Sequence, residues 1–401
     1  MTDLKRTRNS NTKNTKQLNS VSSTGFARLA DSARFTDEAW MVRALVLAHR
    51  GVALAHPNPM VGAVVVKNDA VAGEGFHTYE ARKHAEIIAL EQARANARRA
   101  TLYVNLEPCC HTGRTGPCTK AIIDAGVKRV VVAMRDPNPA VAGRGIRELR
   151  AAGIEVALGV REDDARHLNE AFAKWIRTKL PFVTLKTALT LDGRIAARTG
   201  STTWITSGAS REEVQRMRHE ADALLTGIGT VLADDPRMTD RTKLPRRKPL
   251  IRVIVDSRLR IPVKSGIVKS AKNDALIFTT QSHDSPKGKL LRKAGVEIVR
   301  IRSRGGHADL REVLREMGER EILSVILEAG SELNGAMLQA NLIDKMVLFY
   351  APKIMGDGGV PMAQLPSQWF ERSPALSQLS FRRYGPDFAI QGYFHDVYRN
   401  H

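Results

Sequence analysis

Apolar residues along the chain alternate between a period of about 3.6 and short continuous runs, the signature of helices exchanging with buried strands. From Asp37 the pattern predicts a helix over 37–51, with Met41, Leu45 and Ala48 on one face, then strands at 61–66 and near 71–75. A helix over 84–97 follows, then a strand over 101–106, a helix over 117–125, a strand over 128–133, a helix over 143–151 and a strand over 154–159. The runs Val61–Val66 and Arg129–Ala133 are continuously apolar, as expected of strands covered on both faces. A helix over 163–178 stops before Pro181, which places a domain boundary near 178–181.

Beyond it the alternation resumes. Strands are expected at 182–187, 222–226, 250–256, 275–280, 296–301, 322–327 and 345–351, with the clearest helices at 209–219, 307–317 and 331–341. The end reads as a hairpin, Leu379–Tyr384 and Phe388–Tyr393 about Gly385-Pro-Asp. The chain therefore divides into residues 36–179 and 180–401, two α/β domains in series, the first a three-layer α/β/α domain.

Composition changes this picture in three places. Residues 1–35 are polar, rich in Ser, Thr and Asn, and carry Lys5, Arg6, Arg8, Lys13, Lys16, Arg28 and Arg34 against Asp3 and Asp31, so they read as a disordered basic tail. Net charge is +20, from 62 Lys+Arg against 42 Asp+Glu, which favours anionic partners: nucleic acid, acidic membrane or phosphorylated small molecules. Aromatics at 5% leave few platforms for stacking bases, which disfavours nucleic acid, and no run approaches the ~18 apolar residues of a membrane span. A cytoplasmic, soluble protein is expected. The three cysteines, Cys109, Cys110 and Cys118, sit in one short segment, a poor disulfide framework and a good metal or catalytic cluster.

His84-Ala-Glu86 opens a predicted helix, Glu107-Pro-Cys109 closes a predicted strand, and Cys118 follows Pro117 in the first turn of the next helix. Catalytic zinc takes three N or S ligands and keeps one position open. His84, Cys109 and Cys118 supply that set, and the helix dipole favours a thiolate at Cys118. Glu86, two residues from His84, is placed to move protons without being a ligand. His-x-Glu followed by Pro-Cys and a second Cys is the pattern of zinc nucleobase deaminases, although their cysteines usually stand two residues apart and here eight intervene. The alternative is a closed structural site with Cys110 or His111 as fourth ligand, which would leave Glu86 without a role. His56 and His77 read as isolated surface or substrate-side residues.

Together, His56-Pro-Asn-Pro-Met-Val-Gly62, His84-Ala-Glu86, Glu107-Pro-Cys-Cys-His-Thr-Gly-Arg-Thr-Gly-Pro-Cys118 and Asp136-Pro-Asn-Pro-Ala-Val-Ala-Gly-Arg-Gly145 resemble the bifunctional deaminase/reductase family of riboflavin biosynthesis. The resemblance continues through Val183-Thr-Leu-Lys-Thr-Ala-Leu-Thr-Leu-Asp-Gly-Arg194, Trp204-Ile-Thr-Ser207, Gly229-Thr-Val-Leu-Ala-Asp-Asp-Pro236 and Ala351-Pro-Lys-Ile-Met-Gly356. Gly116, Cys110 and Ala329 depart from that family's usual Pro, Ser and Gly.

This resemblance implies a cytidine-deaminase-like domain followed by a dihydrofolate-reductase-like α/β domain. It implies Zn2+ in the first and NADPH in the second. Its substrate is a phosphorylated pyrimidine, deaminated first and then reduced from a ribosyl to a ribityl side chain. It assigns substrate contacts to Asn58 in the deaminase and to Thr202, Arg218, Met238, Arg241 and Glu328 in the reductase, with Arg218 and Arg241 suited to phosphate. It assigns NADP contacts to Ala188, Trp204, Thr230 and Asp234, and to Gly330, Ser331, Glu332, Leu333, Asn334, Gly335 and Ala336 at a helix start that could offer N–H groups to phosphate. Gly227-Ile-Gly229 lacks the third glycine of a Rossmann fingerprint, and Asp192 reads as a turn residue. Reductase-like domains often pair, so a homo-oligomer is expected. The rival readings are an RNA or nucleobase deaminase with a basic accessory domain, and a non-enzymatic zinc-stabilised binding module.

Overall fold

The computed structural model describes residues 36–111, 116–197 and 204–399; the basic segment 1–35 and Thr202 lie outside them. Helix α1 (Asp37–His49) begins where the Thr36 hydroxyl accepts the Ala39 N–H, with Asp37 and Glu38 at its positive end and His49 in its last turn. It buries Trp40, Met41, Ala44, Leu47 and Ala48 against strands β1 (Gly62–Lys67) and β3 (Thr101–Leu106). With β2 (Ala70–Phe76), β4 (Arg129–Met134) and β5 (Glu155–Leu158) these make a five-stranded sheet of order β2-β1-β3-β4-β5. β1 is antiparallel to both neighbours, whereas β3, β4 and β5 run parallel. Helices α2 (Ala85–Ala93), α3 (Cys118–Asp124) and α4 (Arg144–Ala151) complete the layers. A Cβ on Gly75 would lie 2.3 Å from Ala85 O, so glycine lets the start of α2 rest on β2.

The helix expected over 163–178 is two: α5 (Glu162–Leu168) and α6 (Glu170–Thr178). Asn169 interrupts it because its side-chain amide pairs with the Met60 backbone, Oδ1 accepting the N–H (2.8 Å) and Nδ2 donating to the C=O (3.0 Å). The same break pins the loop ahead of β1. Asn169→Ala is expected to lower stability by about 1 kcal/mol, because it strands the part-buried Met60 N–H while the Met60 C=O keeps the Asn105 amide; chemical denaturation would measure it.

The second sheet has nine strands, order β11-β10-β9-β8-β14-β6-β15-β18-β17. They are β6 (Phe182–Thr190), β8 (Ala223–Gly227), β9 (Ile251–Val255), β10 (Ala275–Thr279), β11 (Val296–Arg300), β14 (Ser324–Leu327), β15 (Lys345–Ala351), β17 (Ser377–Tyr384) and β18 (Asp387–Tyr393). All pairs are parallel except the closing β15-β18-β17 meander, which is the expected hairpin set against β15. Two small ladders, β7 (Arg194–Ala197) with β16 (Gly359–Pro361) and β12 (Ser303–Arg304) with β13 (His307–Ala308), lie outside it. The β12–β13 hairpin displaces the start of the helix expected over 307–317. That helix, α11, runs Leu310–Glu319 from an Asp309 N-cap. The remaining helices are α7 (Gly208–Glu220), α8 (Ile228–Asp234), α9 (Gly266–Lys269), α10 (Pro286–Lys293), α12 (Ser331–Gln339) and α13 (Trp369–Arg372). No described helix is long and apolar enough to cross a membrane.

Helix α6 joins the two sheets. Lys174 pairs with Asp344 at 2.6 Å, Trp175 Nε1 donates to Gly318 O, and Glu170 takes Lys345 and the Tyr393 hydroxyl. After β18 the chain returns to the first core, where the Tyr398 hydroxyl donates to Arg166 O.

Candidate functional site

The first sheet delivers its chemistry where α2 and α3 begin. His84 is the N-cap of α2 and Cys118 the first residue of α3. Cys109 follows β3 by three residues. His84 Nδ1 stands 3.1 Å from Cys118 Sγ and 3.4 Å from Cys109 Sγ, and the Cys118 N–H donates to Cys109 Sγ. The three donor atoms lie within 4.8 Å of one another, and among the described residues neither Cys110 nor His111 joins them. One imidazole and two sulfurs facing a common point fit a zinc ion with an open fourth position rather than a closed structural site. Hydrogen bonds from Cys118 and then from His84 hold the Cys109 thiol below the usual thiol range, while sharing that proton with Cys109 pushes Cys118 up.

Glu86 lies in the first turn of α2 and is 3% exposed. Burial pushes its carboxyl above the usual carboxylate range, and His84 opposes that shift. His77, expected as an isolated residue, is instead buried in the wall of this site. Its Nε2 accepts from Asn58 Nδ2 (2.9 Å), its Nδ1 donates to Lys83 O (2.9 Å), and its ring meets His84 edge-on at 5.6 Å. Burial lowers its pKa, in keeping with this neutral tautomer. His56 is not isolated either: its Nδ1 sits 3.0 Å from Asp222 Oδ1, across the junction with the second sheet.

The opposite side is held by Glu107, whose carboxylate accepts the N–H groups of Asp136, Gly143 and Ile146. A Cβ on Gly145 would stand 2.1 Å from Pro108 O, so the 136–145 loop can lie directly on the cysteine segment. Burial, then the Glu107 charge, pushes the Asp136 carboxyl up to about 7, against the Asn138 N–H that it accepts. The acid before the Pro-Cys pair was the available signal for this brace.

In the second sheet the ends of β8, β14 and β6 lie side by side, the position at which open α/β sheets bind ligands. Glu328 follows β14. Arg218 of α7 forks onto it, with Nε to Oε1 at 2.8 Å and Nη2 to Oε2 at 2.9 Å, and Lys186 of β6 approaches at 3.6 Å. Lys186 was overlooked inside its apolar strand, although a lone cation there was a usable signal. Arg218 also donates to Thr239 O, which brings the Met238–Arg241 segment to the same place. Met238 itself is buried in the core beside Leu224 and Ile254, and Arg241 is exposed.

Among the cofactor candidates, α8 and α12 start together: a Cβ on Gly330 would lie 3.8 Å from Thr230 Oγ1, and one on Gly227 3.3 Å from Leu333. Ser331, Glu332 and Leu333 form the first turn of α12. Asn334 and Gly335 face the other way. Asn334 Nδ2 donates to Ala329 O and Met362 O, and a Cβ on Gly335 would strike Gln364 O at 2.0 Å, so both pack the 362–364 segment while Ala336 lies a turn in. Ala188 sits on β6 and Asp234 ends α8. Trp204 is 69% exposed, with Arg211 over its ring. Asp192 is a turn residue, accepting from Thr190 Oγ1, Met355 N and Gly356 N.

A deaminase-type His-Cys-Cys-Glu site on one sheet, followed by a reductase-type crevice on another, defines a two-step deaminase–reductase. Residues 35–134 match the cytidine and deoxycytidylate deaminase zinc-binding region, and residues 181–390 match the RibD C-terminal domain. The riboflavin biosynthesis protein RibD of Aquifex aeolicus is 41% identical over 357 residues, covering 89% of this chain and 98% of its own; that of Escherichia coli is 40% identical over 368 residues, covering 88% and 98%. Acinetobacter baumannii RibD superposes with a TM-score of 0.79 at 38% identity, covering 90% of this chain and 99% of its own. A Thermotoga maritima diaminohydroxyphosphoribosylaminopyrimidine deaminase/5-amino-6-(5-phosphoribosylamino)uracil reductase superposes with a TM-score of 0.78 at 37% identity, covering 90% and 99%. The chain belongs to the RibD family, the bifunctional deaminase/reductases of riboflavin biosynthesis. Zinc serves its deaminase domain and NADPH its reductase domain. The second half is thus no basic nucleic-acid accessory.

Proposed function

We propose that residues 36–179 hydrolyse an amino group from 2,5-diamino-6-(5-phosphoribosylamino)pyrimidin-4(3H)-one. Residues 180–401 then reduce the ribosyl group with NADPH, giving 5-amino-6-(5-phosphoribitylamino)uracil. The observation that carries this reading is the three-ligand cluster with a buried carboxyl beside it.

His84, Cys109 and Cys118 would hold the zinc, which when bound would make water acidic enough to attack at neutral pH. Glu86 takes a proton from the attacking water and returns one to the departing amine, so that water and the amino compound become the carbonyl compound and ammonia. Because Asn58 spends its N–H on His77, its Oδ1 remains to accept a ring N–H and orient the pyrimidine.

In the reductase, bound NADPH would supply the hydride for reduction of the sugar C1, with a proton completing the amine. Ala188, Trp204, Thr230 and Asp234 and the first turn of α12 from Gly330 hold the cofactor, with that turn's N–H groups directed to phosphate. Arg218 has its fork filled by Glu328, so it orders Glu328 and Lys186 at the sugar, and Arg241 takes the ester phosphate. The protein works in the cytoplasm. Two copies pair through the edge strand β17, where Leu379 and Phe381 are 54% and 67% exposed.

Purified protein given the diaminopyrimidinone should release ammonia without NADPH and then consume NADPH when it is added. Chelation should stop ammonia release, and zinc at one equivalent per chain should restore it, while reduction of the deaminated intermediate continues throughout. Ammonia release that survives complete metal removal would sink the first step of this reading.

A further inference from the structure

We infer that Arg247, supplied by the reductase half, is a positioning residue of the deaminase site. It clamps together the two loops whose Asn58–His77 hydrogen bond forms that site's wall. The inference rests on the two-step reading above.

Arg247 lies in the connection between α8 and β9, far in sequence from any deaminase motif. Its backbone N–H donates to Ala53 O (2.9 Å) and its Nη1 to His56 O (3.1 Å), both in the loop that carries Asn58. Its Nε donates to Glu80 at 2.9 Å, and its guanidinium lies 3.5 Å from the centre of the Tyr79 ring, both in the loop between His77 and His84. The side chain is only 17% exposed. One planar cation thus grips both loops. Asn58 Nδ2 meets His77 Nε2 between those same loops, and His77 Nδ1 is tied to Lys83 O, one residue before His84. Within the deaminase half, the Tyr79 N–H to Leu54 O bond also ties these loops.

The arm bearing Arg247 is itself anchored. Arg246 donates to Ala221 O and to Asp240, and Asp240 also meets His219. Asp222, next to Ala221, accepts from Leu323 N and Ser324 N at the head of β14, and its other oxygen faces His56. At the far end of the arm Thr239 O accepts from Arg218, the partner of Glu328. A continuous hydrogen-bonded segment therefore starts at the reductase crevice and ends on the deaminase loops.

A guanidinium that lies over a ring and donates to two separate loops cannot be replaced by an ammonium, and loss of orientation is felt at a reacting ring displaced by a fraction of an ångström. Arg247→Ala in the full chain should lower kcat/KM for ammonia release about ten-fold, mostly through KM because Asn58 orients the substrate. Zinc content and NADPH-dependent reduction of the deaminated intermediate should stay at wild-type values. Tyr79→Leu should reproduce the KM rise, and Arg247→Lys should not restore it. If Arg247→Ala folds poorly, Tyr79→Leu decides.

Unchanged deamination KM in these variants overturns the proposal. So does a loss of kcat that merely follows loss of zinc. If the wild-type protein itself released no ammonia, the fault would lie with the two-step reading rather than with Arg247.

Discussion

Glu86→Gln is expected to abolish ammonia release while leaving NADPH oxidation with the deaminated intermediate untouched. Gln has the shape of Glu but cannot carry a proton between water and the leaving amine. Removing a positioned general acid–base typically costs about 10²–10⁴-fold, so kcat should fall by roughly a thousand. Glu86 is 3% exposed and tucked into the first turn of α2, so bulk water offers no ready substitute. His84, Cys109 and Cys118 supply the three donor atoms without Glu86, and zinc stoichiometry should remain unchanged. The measurement is ammonia release under saturating substrate, with metal content and reductase rate followed on the same preparation. Residual activity above a few per cent of wild type, or parallel loss of zinc, would take the proton shuttle away from Glu86.

The second large effect is expected at Glu328. Its side chain is 14% exposed and neutralises Arg218, 13% exposed, and Lys186, 14% exposed. Glu328→Ala leaves two buried cations without their counter-charge, a change that typically costs about 3–5 kcal/mol, and it should also remove the reductase activity. Burial would raise this carboxyl, but Lys186 and Arg218 outweigh burial and hold it down at about 2 against an ordinary 4.5. Because the folded pKa lies below the unfolded one, the carboxylate stabilises the fold fully above about 4.5, and this contribution disappears as pH falls toward 2. The stability difference between wild type and Glu328→Gln should therefore be constant near neutrality and shrink through that window. Urea midpoints at a series of pH values would show it. A difference that held constant down to pH 2 would mean that Glu328 is not the charge partner of these cations.

The elements legible in the sequence were those whose pattern is local. β3 and β15 run over 101–106 and 345–351 as the apolar runs indicate, and α1 ends two residues short of its pattern. The helix over 163–178 failed because nothing in its periodicity reveals that Asn169 pairs with Met60, more than a hundred residues earlier. His56 and His77 looked isolated for the same reason. Their partners, Asp222 and Asn58, come from other segments, and a lone His in a sequence carries no mark of what it will meet. Arg218 had the residue type of a phosphate ligand, but only the fold sets Glu328 across its fork. Only the fold packs Asn334 and Gly335 against the 362–364 segment, since a helix start shows which backbone groups are free and not which face is covered.

By itself the sequence determined the zinc chemistry, the two α/β halves and the family. The first two rest on ligand types at short spacings and on hydrophobic periods, and the family on the resemblance of several contiguous motifs; all are properties of neighbouring residues. Only the tertiary structure decided that the His, Cys and Cys donors form an open set without Cys110 or His111. It alone buries Glu86 beside them, pairs Arg218 with Glu328, and lets an arginine from the second half grip the loops of the first. Each of these joins residues distant along the chain, and such pairs are settled by how whole sheets and helices pack, which no local pattern encodes.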